Sequence, residues 1–235
     1  MKGKLYLIPT VLAEGTQENV LPPAIRNIVK NLEHFLCENL RSARRFVSSL
    51  HVHPSIETSQ FYLLDKDTAI AKVSSLLEPL LHGTDMGLLS ESGCPAVADP
   101  GALAVDFAHR HDIVVVPLVG PSSLMLALMA SGLNGQCFAF HGYLPVDSKG
   151  AGDAIQRLER ESRGKNQTQI FIETPYRNNQ LLGHLIRSLK SDTRLCLAIN
   201  LTSPEEKIHC KTVASWKKEI PKLEKVPVTY LFLAS

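Results

Sequence analysis

Short apolar runs alternate with stretches of helical spacing along nearly the whole chain. Residues 4–8, 33–37, 60–64, 86–89 and 113–116 read as strands, because each is a brief apolar or β-branched run bounded by turn residues. Between them, 22–31, 41–50, 68–82 and 102–110 read as helices. In 68–82, Ile70, Val73, Leu76, Leu77 and Leu80 recur at helical intervals. Strand and helix in strict alternation predict a parallel α/β sheet. The second half is less regular. Helices are predicted at 122–131, 152–162 and 176–190, and strands at 136–141, 169–173 and 194–199. Strands at 207–213 and 226–233 flank a short helix near Trp216. Successive strands without an intervening helix predict a mixed sheet. The break at 117–121 is the best boundary, giving an N-terminal α/β domain over 1–116 and a C-terminal α/β domain over 117–235. No internal repeat or low-complexity tract is visible.

Two strand ends stand out. The run Met86 to Leu89 passes into Ser90-Glu91-Ser92-Gly93-Cys94-Pro95 and then Asp99-Pro100-Gly101. Small side chains and glycines let a ligand approach backbone closely, and the prolines stiffen what remains. The second junction is Pro117-Leu118-Val119-Gly120-Pro121-Ser122-Ser123, which enters an apolar helix. Pro121 suits a first helical turn, and Ser122 and Ser123 offer hydroxyls there. In an open α/β sheet, the carboxyl ends of strands are where ligands bind. Taken alone, each junction is explained better by ordinary connection chemistry.

Several segments together resemble one family. Leu5-Tyr6-Leu7-Ile8-Pro9-Thr10 is similar to the opening strand and Pro-Thr of the tetrapyrrole methylase superfamily of S-adenosylmethionine-dependent methyltransferases. Cys37-Glu38-Asn39-Leu40-Arg41 resembles its Glu-Asp-Thr-Arg segment. Leu89 to Pro95 with Asp99-Pro100-Gly101 resembles its Ser-Asp-Ala-Gly-Thr-Pro and Asp-Pro-Gly. Val115 to Pro121 resembles Val-Val-Pro-Leu-Pro-Gly-Pro, His141 to Pro145 resembles Glu-Gly-Phe-Leu-Pro, and Phe171 to Arg177 resembles Phe-Tyr-Glu-Ser-x-His-Arg. The segments fall in family order over nearly the whole chain, and their details look most like the branch that methylates a ribose 2′-hydroxyl in small-subunit ribosomal RNA.

That resemblance implies a class III methyltransferase. Its two α/β domains carry a mostly parallel N-terminal sheet and a mixed C-terminal sheet, with the ligand cleft between them. It implies S-adenosylmethionine as cofactor, held by Pro9, Ser90, Glu91, Ser92, Gly93, Asp99, Gly101, Val119, Gly120, Ser122, Ser123, Leu144, Ala198, Asn200 and Leu201. It implies ribosomal RNA or the small ribosomal subunit as partner, and a homodimer. An RNA hydroxyl must lose its proton as the new bond forms. Glu38 is the candidate base and Arg41 the candidate anchor for phosphate or acceptor. The alternative for Glu38 is a carboxylate stabilised by a helix N-terminus. The chain also departs from the pattern. Asn39 and Glu91 each stand where Asp is typical, Tyr176 stands where His is typical, and the late Lys-Gly-Glu is absent. A donor-binding scaffold without turnover and a methylase of a small tetrapyrrole-like acceptor are therefore kept as alternatives.

Composition narrows this further. Of 235 residues, 44% are hydrophobic and 20% charged, the balance of a soluble globular chain. The net charge of +2 supplies no overall basic field. Local basic groups occur at Arg41, Arg44 and Arg45, at Arg157, Arg160, Arg163 and Lys165, and at Lys217, Lys218, Lys222 and Lys225; solvated helix faces explain them better than an RNA track does. His51 and His53, and His109 and His111, lack the further spaced ligands that zinc needs, so no metal is expected. No phosphate loop, dinucleotide fingerprint or nucleophile elbow is present. Five scattered cysteines, with neither a signal peptide nor a membrane span in view, predict free thiols and a cytoplasmic protein.

Overall fold

The computed structural model describes residues 1–234. It divides into two compact units, Met1–Ser122 and Ser123–Ser235. In the first, strands β1 (Lys4–Ile8), β2 (His34–Cys37), β3 (Gln60–Leu63), β4 (Met86–Leu89) and β5 (Val114–Pro117) pair in the order β3-β2-β4-β1-β5, every pair parallel. Helices α1 (Gln17–Val20), α2 (Pro23–Val29), α3 (Leu40–Ser49), α4 (Ile70–Leu76), α5 (Glu78–Leu81) and α6 (Ala102–Arg110) connect them. All four residues of β4 are buried, as expected of a central parallel strand covered on both faces. One core joins Leu5, Leu36 and Leu88 to Val73, Leu77, Leu80 and Phe107. The other joins Ile8, Phe35 and Leu89 to Ile25, Val29, Phe46 and Val47.

The second unit holds α7 (Ser123–Ser131), β6 (Phe138–Tyr143), α8 (Ser148–Lys165), β7 (Thr168–Glu173), α9 (Asn178–Ser188), β8 (Arg194–Ile199), β9 (Lys207–Thr212), α10 (Val213–Lys218) and β10 (Val228–Leu233). Its sheet runs β6-β7-β10-β8-β9. Only β6 and β7 are parallel; the other pairs are antiparallel. The two expected α/β domains, one sheet parallel and one mixed, are thus both present. Phe171, Leu182, Leu185, Trp216, Tyr230 and Phe232 fill the core. The polar ends of its large rings are satisfied: Trp216 Nε1 donates to the Leu195 carbonyl (2.9 Å), and the Tyr230 hydroxyl donates to Asn178.

Some elements differ from expectation. The helix predicted over 68–82 is two helices, broken at Leu77, with Pro79 in the first turn of α5. Proline lacks the N–H that would continue the ladder and its ring crowds the preceding turn. Burial continues across the break at Val73, Leu77 and Leu80, which is why the spacing read as one helix. Helix α8 extends beyond 152–162, because Asp147 accepts from Gly150 N at its start (2.7 Å) and Asn166 takes the left-handed conformation at its end. The units divide after Ser122, not after Val116. Segment 117–122 packs on the N-terminal sheet: Leu118 N donates to the Leu7 carbonyl at 3.0 Å, and Cys94 Sγ donates to the Pro121 carbonyl. No helix among the described residues is long and apolar enough to cross a membrane.

Candidate active site

A parallel sheet sends the carboxyl ends of all its strands to one edge. In the first unit that edge carries Pro9 to Leu12 after β1, Glu38 and Asn39 after β2, Ser90 to Gly101 after β4, and Leu118 to Ser122 after β5. Hydrogen bonds tie these loops together. Thr10 N and Ser90 Oγ both donate to the Gly93 carbonyl, at 2.9 and 3.1 Å, and Ser92 Oγ donates to the Val11 carbonyl. Gly93 has φ +77, and an added Cβ would meet Leu12 Cδ2 at 3.1 Å and the Pro121 carbonyl at 3.4 Å. A Cβ on Gly120 would collide with the Pro9 ring. The absence of side chains at these two glycines therefore lets loop pack on loop.

Asp99 organises the β4 loop. Its Oδ1 accepts from Ala96 N and Gly101 N, both at 2.8 Å, while Ala96 and Ala98 hold φ of 64 and 61. Its Oδ2 is buried and without a hydrogen-bond partner, as is Thr10 Oγ1. Orphaned buried polar atoms are costly and rare in native folds, so each marks a place where a partner belongs. Burial raises the Asp99 carboxyl above the usual range, and the two backbone donors offset part of that rise.

Glu38 ends β2. Its carboxyl is raised by burial first, then by the negative charges of Glu91, Asp99 and Asp65. The helix-capping role belongs to its neighbour: Asn39 Oδ1 accepts from Arg41 N (2.9 Å) and Ser42 N (3.2 Å). Asparagine thus preserves the acceptor that an aspartate would supply. Glu91 accepts from Ser42 Oγ at 3.2 Å and joins the β4 loop to α3. Among the α3 arginines, Arg45 pairs with Glu14 (2.6 Å) and Arg44 lies 5.6 Å from the Phe61 ring centroid. Arg41 is exposed on the first turn, and among the described residues no carboxylate is paired to its guanidinium.

The remaining expected donor contacts distribute as follows. Val119 is exposed and Ser122 half-buried at the end of the first unit. Ser123 starts α7, and buried Leu144 follows β6. Ala198 is buried within β8, opposite Thr229 and Ile208. Asn200 and buried Leu201 form the turn after β8, where Asn200 has φ 54 and its N–H donates to the Pro227 carbonyl. Thr10 and Asp65 were absent from the expected set. Thr10 is signalled only by its place after Pro9, and Asp65 only by lying beyond a strand. Among the described residues, no group of His, Cys, Asp and Glu is arranged to hold a metal ion.

No family model matches the chain. It is 36% identical over 213 residues to ribosomal RNA small subunit methyltransferase I of Mesorhizobium japonicum, covering 91% of this chain and 68% of that protein. It is 31% identical over 221 residues to the protein of the same name from Escherichia coli O157:H7, covering 93% and 73%. The chain belongs to the ribosomal RNA small subunit methyltransferase I family. Its fold is also that of the tetrapyrrole methylases. The methyltransferase CobJ superposes with a TM-score of 0.65 at 17% identity, covering 99% of this chain and 95% of that one. A uroporphyrin-III C-methyltransferase from Thermus thermophilus, solved with S-adenosylhomocysteine, superposes at 0.56 and 17% identity, covering 98% and 97%. The hydrogen bonds made by Asn39 and Glu91 hold the α3 terminus and tie the β4 loop to α3.

Proposed function

We propose that this chain transfers a methyl group from S-adenosylmethionine to a ribose 2′-hydroxyl of small-subunit ribosomal RNA. The observation that carries this reading is the edge of the parallel sheet. There the loops after β1, β4 and β5 are bonded to one another beside two buried polar atoms, Thr10 Oγ1 and Asp99 Oδ2, that lack partners. One hydroxyl and one carboxylate oxygen suit a ligand carrying both hydroxyl and amino groups, and the surrounding side chains are small. These residues fit the donor. When bound, S-adenosylmethionine supplies a methyl group already activated by its sulfonium.

The protein's own work is then positioning and proton removal. Asp99 and Thr10 hold the donor's polar groups, and the tied loops fix backbone around it and exclude water. Such positioning supplies about 7–11 kcal/mol in favourable cases. Glu38, at the same edge, accepts the proton of the attacking ribose hydroxyl. Arg41 attracts the phosphate beside that ribose. We further propose a homodimer built on α7, where Met129 is 76% exposed and Met125, one turn earlier, 46%. Strand β10, although apolar, offers no comparable surface, since every one of its residues is buried and it lies between β7 and β8.

The test incubates the protein with radiolabelled S-adenosylmethionine and small ribosomal subunits. Label in alkali-resistant dinucleotides of the RNA is the expected result. Label in small molecules alone would select a tetrapyrrole-like acceptor. Calorimetric binding of the donor with no label anywhere would select a scaffold. Arg41→Glu and Arg44→Glu should each weaken RNA binding and flatten its salt dependence.

A further inference from the structure

The segment after β7 carries an aromatic ring that methyl transfer at the other sheet does not use. Thr174 leads into a single 3-10 turn, Pro175–Arg177, and Tyr176 at its centre is 80% exposed. The backbone beneath the ring is firmly held. Arg177 N donates to the Thr174 carbonyl at 2.9 Å. The Arg177 guanidinium donates twice to Glu173 Oε1, at 3.0 and 2.6 Å, and Thr174 N donates to the same oxygen at 2.6 Å. Lys225 places its Nζ 5.1 Å from the Tyr176 ring centroid. The Lys225 segment is itself anchored to the start of α9. Asn179 bonds both the N–H and the carbonyl of Leu223, and Asn178 Nδ2 donates to the Val226 carbonyl, all at 2.8 Å. Two chain segments are thus locked together so as to present one exposed ring with an ammonium beside it.

We propose that Tyr176 is a stacking platform for an unpaired base of the RNA acceptor, with Lys225 drawing in the adjacent phosphate. The inference rests on the reading of the chain as an RNA methyltransferase. Rigid aromatics with neighbouring cations bind single-stranded nucleic acid because every base has a π-face and every nucleotide a phosphate. A protein partner would prefer an apolar surround for such a ring; here the ammonium of Lys225 lies beside it and Arg177 follows it in the chain. Because Glu173 Oε1 and the two asparagines fix both segments beforehand, little ordering is left to be done on binding.

The experiment measures anisotropy of a fluorescein-labelled, unstructured single-stranded RNA with the S-adenosylmethionine-loaded protein, alongside methylation of small ribosomal subunits. Tyr176→Ala should weaken RNA binding roughly tenfold, as loss of one stacked base does. It should raise KM for the subunit by a similar factor and leave calorimetric affinity for the donor unchanged. Tyr176→Phe and Tyr176→Trp should retain affinity, and Lys225→Gln should lower the salt slope by about one. Wild-type affinity in Tyr176→Ala, or equal losses in Tyr176→Ala and Tyr176→Phe, would overturn the platform while leaving RNA methylation standing. Failure of the wild-type protein to bind or label RNA would overturn both.

Discussion

At the scale of single residues, the proposed chemistry rests on two carboxylates at the edge of the parallel sheet, Glu38 and Asp99. Glu38 is raised by burial and by its acidic neighbours, so it stays protonated to higher pH than an ordinary carboxyl. As a base it must be ionised, and kcat/KM should therefore fall in acid along a limb displaced above the usual carboxylate range. Glu91→Gln removes one of the negative charges that raise it, and should move that limb to lower pH; an unmoved limb would exclude Glu38 as the titrating group. Stability runs the opposite way. A carboxyl raised on folding contributes stability that is fully present below its unfolded pKa and is lost as pH rises through its folded value. Glu38→Gln should accordingly raise the melting temperature near neutral pH, with a smaller effect near pH 4, while lowering activity. Asp99 separates two roles on its two oxygens. Asp99→Ala leaves Ala96 N and Gly101 N unpaired and should cost about 1–3 kcal/mol in chemical denaturation. Asp99→Asn keeps an acceptor for those donors but changes the orphaned Oδ2 to an amide. It should fold nearly as well and bind the donor more weakly by calorimetry.

At the scale of elements, the site depends on where strands stop and helices begin. Asn39 opens α3, and Asn39→Ala should cost about 0.5–2 kcal/mol of stability, measured by urea unfolding. The loss should be matched by weaker RNA binding, because Arg41 sits on the turn that the cap organises. The glycines behave differently from one another. Gly93→Ala forces a side chain onto a φ of +77 and should cost about 1–2 kcal/mol. Gly120→Ala has no such strain but must push the Pro9 ring aside, an overpacking cost of about 1–3 kcal/mol. A Gly120→Ala protein with wild-type stability would show that the loops after β1 and β5 yield freely. Strand pairing also sets Cys196 opposite Cys210 across β8 and β9, both free thiols.

For the whole molecule, a net charge of +2 makes long-range attraction to RNA weak, so binding must come from a few placed cations and from stacking. The α7 dimer has its own check. Sedimentation at micromolar concentration should show twice the 25.9 kDa of one chain, and Met129→Asp should return it to the mass of a single chain. A single-chain mass for the unaltered protein would end the dimer reading without touching catalysis.

The sequence by itself determined the central strand β4, because a strand buried on both faces must be apolar throughout, and Met86 to Leu89 can be little else. The cap of α3 is a local matter of one turn, yet it is Asn39, not the neighbouring Glu38, whose side chain accepts the two N–H groups. Only the tertiary structure decided the break at Leu77, where continuous burial of Val73, Leu77 and Leu80 hides two helices inside one apolar pattern. Only it decided that Thr10 Oγ1 and Asp99 Oδ2 lack partners. A hydrogen bond left unmade depends on every group that the fold brings near, and residues far apart along the chain supply those groups. The acidic surroundings of Glu38 arise in the same way: Asp65 follows β3 while Glu91 and Asp99 both lie in the loop after β4, and pairing β2 with β3 and β4 is what brings their charges to bear on one carboxyl.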